Sequence, residues 1–87
     1  MIKITEESIK EHLIPKGWKK SEGFTGDIYK SPDGRYKLQY CSDSNLCDET
    51  GFGWLILIEN SKHESLACCD VEYMEQIFAL IDIYKNY

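Results

Sequence analysis

The clearest pattern in the chain is an alternation of apolar and polar side chains at residues 35–41. A repeat of two residues is the period of a strand that buries one face and exposes the other. The apolar set is Tyr36, Leu38 and Tyr40, and the polar set is Arg35, Lys37 and Gln39. We therefore predict a half-buried antiparallel strand over residues 35–41.

Two further segments repeat their apolar residues every three or four positions, which indicates amphipathic helices. The first is predicted over residues 6–14, because the Thr5 hydroxyl can cap its first turn and the chain cannot stay helical before Pro15. The second is predicted to follow a cap at Asp70 and to run to about Lys85. Its apolar face comprises Val71, Met74, Ile77, Phe78, Ile81 and Tyr84.

A hairpin is predicted around the four residues Ser31-Pro32-Asp33-Gly34. The proline presets the backbone for the first central position of a turn, and the glycine closes it without steric cost. Residues 24–30 and 35–41 form the two arms. Residues 18–20 add a short strand or simply lead into the hairpin.

The remaining segments complete an α+β prediction. Residues 52–59 are the most apolar stretch and predict a central strand, residues 64–69 predict a further one, and residues 42–51 form a polar loop. The predicted fold is a single domain, residues 1–87, with an N-terminal helix, a three- to four-stranded antiparallel sheet, and a C-terminal helix packed on one sheet face.

Composition and charge exclude several classes. The chain has 87 residues, with 10 Lys and Arg against 15 Asp and Glu, and its net charge of −5 disfavours direct binding to nucleic acid. Its longest apolar run, residues 52–58, is far shorter than the roughly 20 residues of a membrane-spanning helix. The N-terminus has no continuous apolar core of a secretory signal. We therefore expect a cytoplasmic protein whose cysteines are thiols.

Several core and turn motifs carry a resemblance that spans nearly the whole chain. They are Gly17-Trp18-Lys19-Lys20, Gly53-Trp54-Leu55 and the last-helix pattern V-x-Y-M-x-x-I-F-x-L. In these motifs the chain resembles small proteins of gut-type bacteria and their phages or mobile elements, a group with no established activity. The resemblance implies a similar fold and a mobile-element setting. It transfers no functional residue.

The cysteines offer a zinc or thiol site as one alternative. The candidates are Cys41, Cys47, Cys68, Cys69 and His63. They lack the paired C-x2-C spacing of zinc sites, and adjacent residues of a strand point to opposite faces. No spacing assembles a nucleophile with a base, so we predict no catalytic residue, no metal and no cofactor, and a protein that is not an enzyme.

The open face of the sheet bears on a second alternative. If the helices cover one face, the other carries either the tyrosines or the polar set of residues 35–41. Tyrosines beside Lys30, Arg35 and Lys37 would stack on single-stranded nucleic acid, with Tyr29 and Tyr36 as the platform.

The leading hypothesis is a non-enzymatic, acidic, protein-binding domain. Residues 1–37 carry a net charge of +2 and residues 38–87 a net charge of −7, so the second half suits a basic protein partner. Such a domain fits a phage or mobile-element inhibitor, of anti-defence or immunity type, of a host protein. The predicted partner-binding residues are Asp43, Asp48, Glu49 and Glu59, followed by Asp70, Glu72 and Glu75. The alternative is a homodimer or assembly subunit that pairs through a strand edge or the last helix.

Overall fold

The computed structural model describes residues 1–23, 26–41 and 53–87. The helices are α1 (Glu6–His12) and α2 (Met74–Tyr84), with a short 3-10 turn (Ile14–Lys16) after α1. The strands are β1 (Lys19–Gly23), β2 (Gly26–Lys30), β3 (Tyr36–Cys41), β4 (Gly53–Glu59) and β5 (Ser65–Val71). The predicted α+β class and the order of helix, antiparallel sheet and helix are confirmed.

The sheet has five strands in the order β1-β2-β3-β4-β5, each antiparallel to its neighbour. The expectation of three to four strands is wrong because of β1, the segment at residues 18–20 that the sequence left undecided. Its sequence is KKSEG, which has no apolar alternation. An edge strand needs only one neighbour, and lysines on an edge discourage pairing with other chains, so an edge strand can be polar throughout.

The first helix begins where the sequence predicts and ends earlier. The Thr5 hydroxyl accepts from the Ser8 amide at 3.1 Å, and the Ser8 hydroxyl accepts from the Thr5 amide at 2.8 Å, which satisfies two amides of the first turn. Regular helix ends at His12 rather than at residue 14, because the chain tightens into the 3-10 turn that contains Pro15.

The second helix begins later than predicted, and the cap at Asp70 is wrong. Strand β5 stays paired with β4 as far as Val71, so Asp70 lies in the strand opposite Leu55. Gln76 satisfies the start of α2 instead, because its side-chain oxygen accepts from the Tyr73 amide at 2.9 Å and the Glu72 amide at 2.7 Å. Among the described residues, no helix is long and apolar enough to cross a membrane.

Both helices pack against the same side of the sheet, which we call the inner face. Ile9 and Leu13 of α1 and Met74 and Ile77 of α2 are fully buried. They form one cluster with the inward side chains of the sheet, which include Tyr29, Tyr36, Leu38, Ile56 and Ile58. Such burial is the main stabilising contribution in a domain of this size. The side chains that alternate with these along the strands lie on the other side, which we call the open face.

The predicted turn at residues 31–34 joins β2 to β3. The Gly34 amide donates to the Ser31 carbonyl at 2.9 Å, and Gly34 takes a positive φ of 75°. Asp33 accepts from the Ser31 hydroxyl at 2.6 Å and from the Arg35 amide at 3.1 Å. Burial raises the pKa of Asp33, but these hydrogen bonds and the Arg35 charge outweigh it and lower that pKa.

Arg35 fastens this hairpin to the end of α2. Its Nε donates to the Glu59 carbonyl at 2.9 Å, Nη2 to the Tyr84 carbonyl at 2.7 Å, and Nη1 to the Lys85 carbonyl at 3.4 Å. Carbonyls at a helix C-terminus lack helical partners and carry partial negative charge, so a guanidinium satisfies both needs. One side chain therefore joins β3, β4 and α2.

We predict that Arg35→Ala lowers the free energy of unfolding by about 2 kcal/mol, because charged hydrogen bonds to three carbonyls are lost. Arg35→Lys should recover only part of this, since an ammonium cannot reproduce the planar fork. Urea denaturation measures the effect, with Lys62→Ala in the exposed β4–β5 turn as the control. An Arg35→Ala variant as stable as that control would contradict the clamp.

Candidate functional site

The open face carries polar and aliphatic side chains. The strand register places Lys37 and Gln39 on it, which agrees with the polar alternative of the sequence analysis. Arg35, just before β3, instead hydrogen-bonds to the C-terminal end of α2. Tyr29 and Tyr36 lie on the inner face and are each only 3% exposed. They cannot stack on a nucleic-acid base, so the predicted tyrosine platform is wrong.

Three lysines lie side by side across this face, and we call them the lysine row. Lys19 of β1 is directly opposite Lys30 of β2, which is directly opposite Lys37 of β3. Directly opposed side chains have Cβ atoms about 5 Å apart, and like charges at that spacing destabilise a sheet. In the part of the chain that the structure describes, Lys19 and Lys30 form no ion pair. Lys37 pairs with Glu59 at 3.4 Å.

Protection of a sheet edge explains only part of the row. Lysine on the edge strand β1 prevents pairing with other chains. Lys30 and Lys37 lie on internal strands, where no edge needs protection. A cleft of about 480 Å³ beside the start of the row is lined by Lys19, Lys20 and Lys30, among others. The row is therefore a basic surface that the fold itself does not require.

Aliphatic side chains adjoin the lysine row, and we call Ile28, Leu55 and Leu57 the aliphatic patch. Leu57 is opposite Lys37, while Leu55 and Ile28 are each opposite Gln39. They are not part of the buried core, unlike Ile56 and Ile58 on the inner side of the same strand β4. Leu66, 37% exposed, lies nearby on β5. The described helices leave this patch without a covering layer.

Only one of the four leading predicted partner-binding acids falls in the described part. Asp43, Asp48 and Glu49 lie outside the described residues. Glu59 lies at the end of β4, with its side chain 18% exposed and its carboxylate 3.4 Å from both Lys37 Nζ and His63 Nδ1. Burial raises the pKa of Glu59, but the His63 hydrogen bond and the Lys37 charge outweigh it and lower that pKa.

The three further acids do not form one cluster. Asp70 lies on the open face beyond Leu55. Glu75 accepts from the Ile2 amide at 2.7 Å and 3.1 Å, and Glu72 lies 4.0 Å from Lys3 Nζ. Glu72 and Glu75 therefore face the N-terminal segment, which pairs with the start of α2.

The described cysteines do not converge on one site. Cys68 is opposite Leu57 on the open face, and Cys69 is opposite Ile56 on the inner face, as adjacent strand residues must be. Burial, reinforced by Cys69 and Asp70, raises the pKa of the Cys68 thiol, which makes it a weaker nucleophile at neutral pH. Cys47 and the side chain of Cys41 lie outside the described part. Within that part, no three His, Cys, Asp or Glu side chains come together.

A cavity of about 400 Å³ opens between the 3-10 turn, the β2–β3 turn and α2. Its walls include Trp18, Tyr36 and Phe78, and Lys16 Nζ lies 4.0 Å above the Phe78 ring. The polar groups at its rim, Ser31 and Asp33, already hydrogen-bond to each other within the turn. Among the described residues that line it, the cavity thus has apolar walls and no assembled acid–base pair.

No family model matches this sequence, and no characterised protein or solved structure is similar enough to indicate a family.

The lysine row makes a prediction about stability. Lys30 lies between Lys19 and Lys37, so Lys30→Glu replaces two repulsive cross-strand pairs by two attractive ones. We expect the free energy of unfolding to rise by about 0.5–1 kcal/mol at low salt, and the gain to shrink at high salt. Urea denaturation measures it, with Lys62→Glu as a control of equal charge change. A loss of stability specific to Lys30→Glu would show that the row is not repulsive.

The lowered pKa of Glu59 leads to a prediction about how the free energy of unfolding depends on pH. Its pKa is lowered from 4.5 by folding, so its ionised form contributes stability that is present above that pH and lost as pH falls through the folded value. Wild-type protein should be more stable than Glu59→Gln at neutral pH, and the difference should shrink as the pH falls below 4.5 and through the lowered pKa. Denaturation midpoints across this range test it. Glu11→Gln, which removes an exposed carboxyl on α1, serves as the control variant.

Proposed function

We propose that this protein is a non-enzymatic, protein-binding domain and that the open face of its sheet is the contact surface. The observation that carries the proposal is the aliphatic patch on a sheet face that neither described helix covers. Apolar side chains beside charged ones are typical of the centre and rim of a protein interface. The cavity beside Phe78 also agrees with a binding role, because the polar groups at its rim, Ser31 and Asp33, already hydrogen-bond to each other and are not arranged for catalysis.

The open face suits a partner that supplies a second layer. A sheet with apolar side chains on both faces gains stability when both are covered, as in the layered architectures of larger domains. A partner element packed on Leu55 and Leu57 would remove their side chains from water, which is worth roughly 25 cal/mol per Å² of apolar surface. The lysines around them would stay at the rim, where charge selects the partner.

The setting of this interaction is part of the proposal. The resemblance to small bacterial, phage and mobile-element proteins suggests an inhibitor, of anti-defence or immunity type, that acts on a host protein. The prediction of a basic partner depends on Asp43, Asp48 and Glu49, which lie outside the described residues, and it stays a prediction. A homodimer is the alternative, since a second copy could also cover the open face.

Leu55→Thr/Leu57→Thr tests the contact surface. Threonine keeps strand propensity and removes most of the aliphatic area, so folding should persist while binding weakens. Immobilised wild-type protein should retain at least one protein from a bacterial lysate, and the purified pair should bind directly. The double variant should reduce that affinity by about tenfold or more, as expected for central interface residues.

Ile83→Gln provides the matched control, because Ile83 is an apolar residue on α2 that is 60% exposed. It should retain the partner at wild-type affinity. A partner held equally well by the double variant would refute the open face as the contact surface. Failure of the wild-type protein to bind any partner or to self-associate would refute the binding role.

A further inference from the structure

The charges of the open face restrict what can cover it. Lys19 and Lys30 have no ion-pair partner among the described residues, and Lys37 shares Glu59 with His63. Asp70, at the far edge of the face, is two strands away from Lys37. The half of the face formed by β1, β2 and β3 is therefore basic. The net charge of −5 belongs to the whole chain, and salt screens charges that lie more than about 10 Å from the lysine row.

The row has a definite geometry. Neighbouring strands lie about 4.8 Å apart, so the first and last lysines of the row are separated by about 10 Å at their backbones. Carboxylates one turn apart on a helix have Cβ atoms about 5–6 Å apart. Two or three such carboxylates can therefore pair with successive lysines of the row. Aliphatic side chains of the same segment would then meet Leu57 and Leu55.

The neighbours of the row discriminate between two kinds of anionic ligand. Single-stranded nucleic acid binds to sheets by stacking bases on exposed aromatic rings. Strand alternation places the aromatic residues of the described strands on the inner side, so that even the exposed Tyr40 does not lie beside the lysines: Tyr29, Tyr36, Tyr40 and Trp54. Leucine and isoleucine adjoin the lysines instead. Aliphatic contacts favour a protein ligand.

We propose that the open face binds an acidic, aliphatic segment of the partner protein, with its carboxylates on Lys19, Lys30 and Lys37 and its aliphatic side chains on Leu55 and Leu57. This inference rests on the proposed function and names the chemistry of the partner. It also accounts for the row itself, because a bound carboxylate relieves the repulsion between opposed lysines. The stability lost in the free protein is recovered on binding.

A displayed library of random linear peptides tests this directly. It is selected on the wild-type protein, and individual peptides are then measured by fluorescence anisotropy against variants. We expect selected peptides to be rich in Asp, Glu, Leu and Ile. Lys19→Glu/Lys30→Glu should weaken their binding by more than about tenfold. Lys10→Glu/Lys62→Glu, with the same net charge change at exposed positions outside the lysine row, should leave it near the wild-type value.

The outcomes separate this inference from the proposed function. Peptides that lose affinity on Leu55→Thr/Leu57→Thr but not on Lys19→Glu/Lys30→Glu overturn the acidic partner and leave the contact surface in place. Peptides indifferent to both double variants, or no enrichment at all, overturn both. Tighter binding of a single-stranded oligothymidine, lost with the lysines, would assign the row to nucleic acid. A dimer disrupted by the lysine variant would assign the face to a second copy.

Discussion

A sheet has two faces, and in this chain both described helices lie on the same one. Ile9 and Leu13 from α1 and Met74 and Ile77 from α2 meet on the inner face, where they close one buried cluster. This one-sided packing determines which side chains of the sheet are buried and which face outward. It buries Tyr29 of β2 and Tyr36 of β3, and it leaves the lysine row and the aliphatic patch facing outward. A chain of this length forms one hydrophobic core, and here that core lies on one side of the sheet.

The parts of the fold that were predictable are those whose pattern is local and strong. The alternation in β3, the turn at residues 31–34 and the period of α2 each indicate their element without tertiary information. Strand β1 lacked such a signal because KKSEG has no apolar face, and only its pairing with β2 makes it a strand. The boundary at Asp70 was misjudged for a related reason. An aspartate suits a helix cap, but pairing with β4 extends β5 through that position.

The candidate site was less predictable than the fold, because it depends on register. Lys19, Lys30 and Lys37 are far apart in sequence and show no shared motif. They become neighbours only when three strands are aligned in one particular way. A sequence-based count of charges even points in the opposite direction, since the chain as a whole is acidic. The alternation of β3 did assign Lys37 and Gln39 to one side, and the choice between a polar and a tyrosine-bearing open face required the position of the helices. Arg35 belongs to the same alternation. Its structural role, however, depends on hydrogen bonds to the carbonyls of Tyr84 and Lys85, which are 49 and 50 residues away in sequence.

The order of the strands has a consequence for how the protein comes to be folded. Each strand pairs with its neighbour in sequence, so the sheet can grow one hairpin at a time from short-range contacts, which is a topology that favours rapid folding. The contacts between segments far apart in sequence involve residues 72–85, which include α2. Residues 2–4 pair with residues 72–74, and Arg35 donates a hydrogen bond to the Tyr84 carbonyl in the last turn of α2. Because α2 follows the sheet in the chain, the strands leave the ribosome before it and can pair while both faces still carry uncovered apolar side chains. Helix α2, which follows the sheet in the chain, then packs with α1 on the inner face and makes the two faces different.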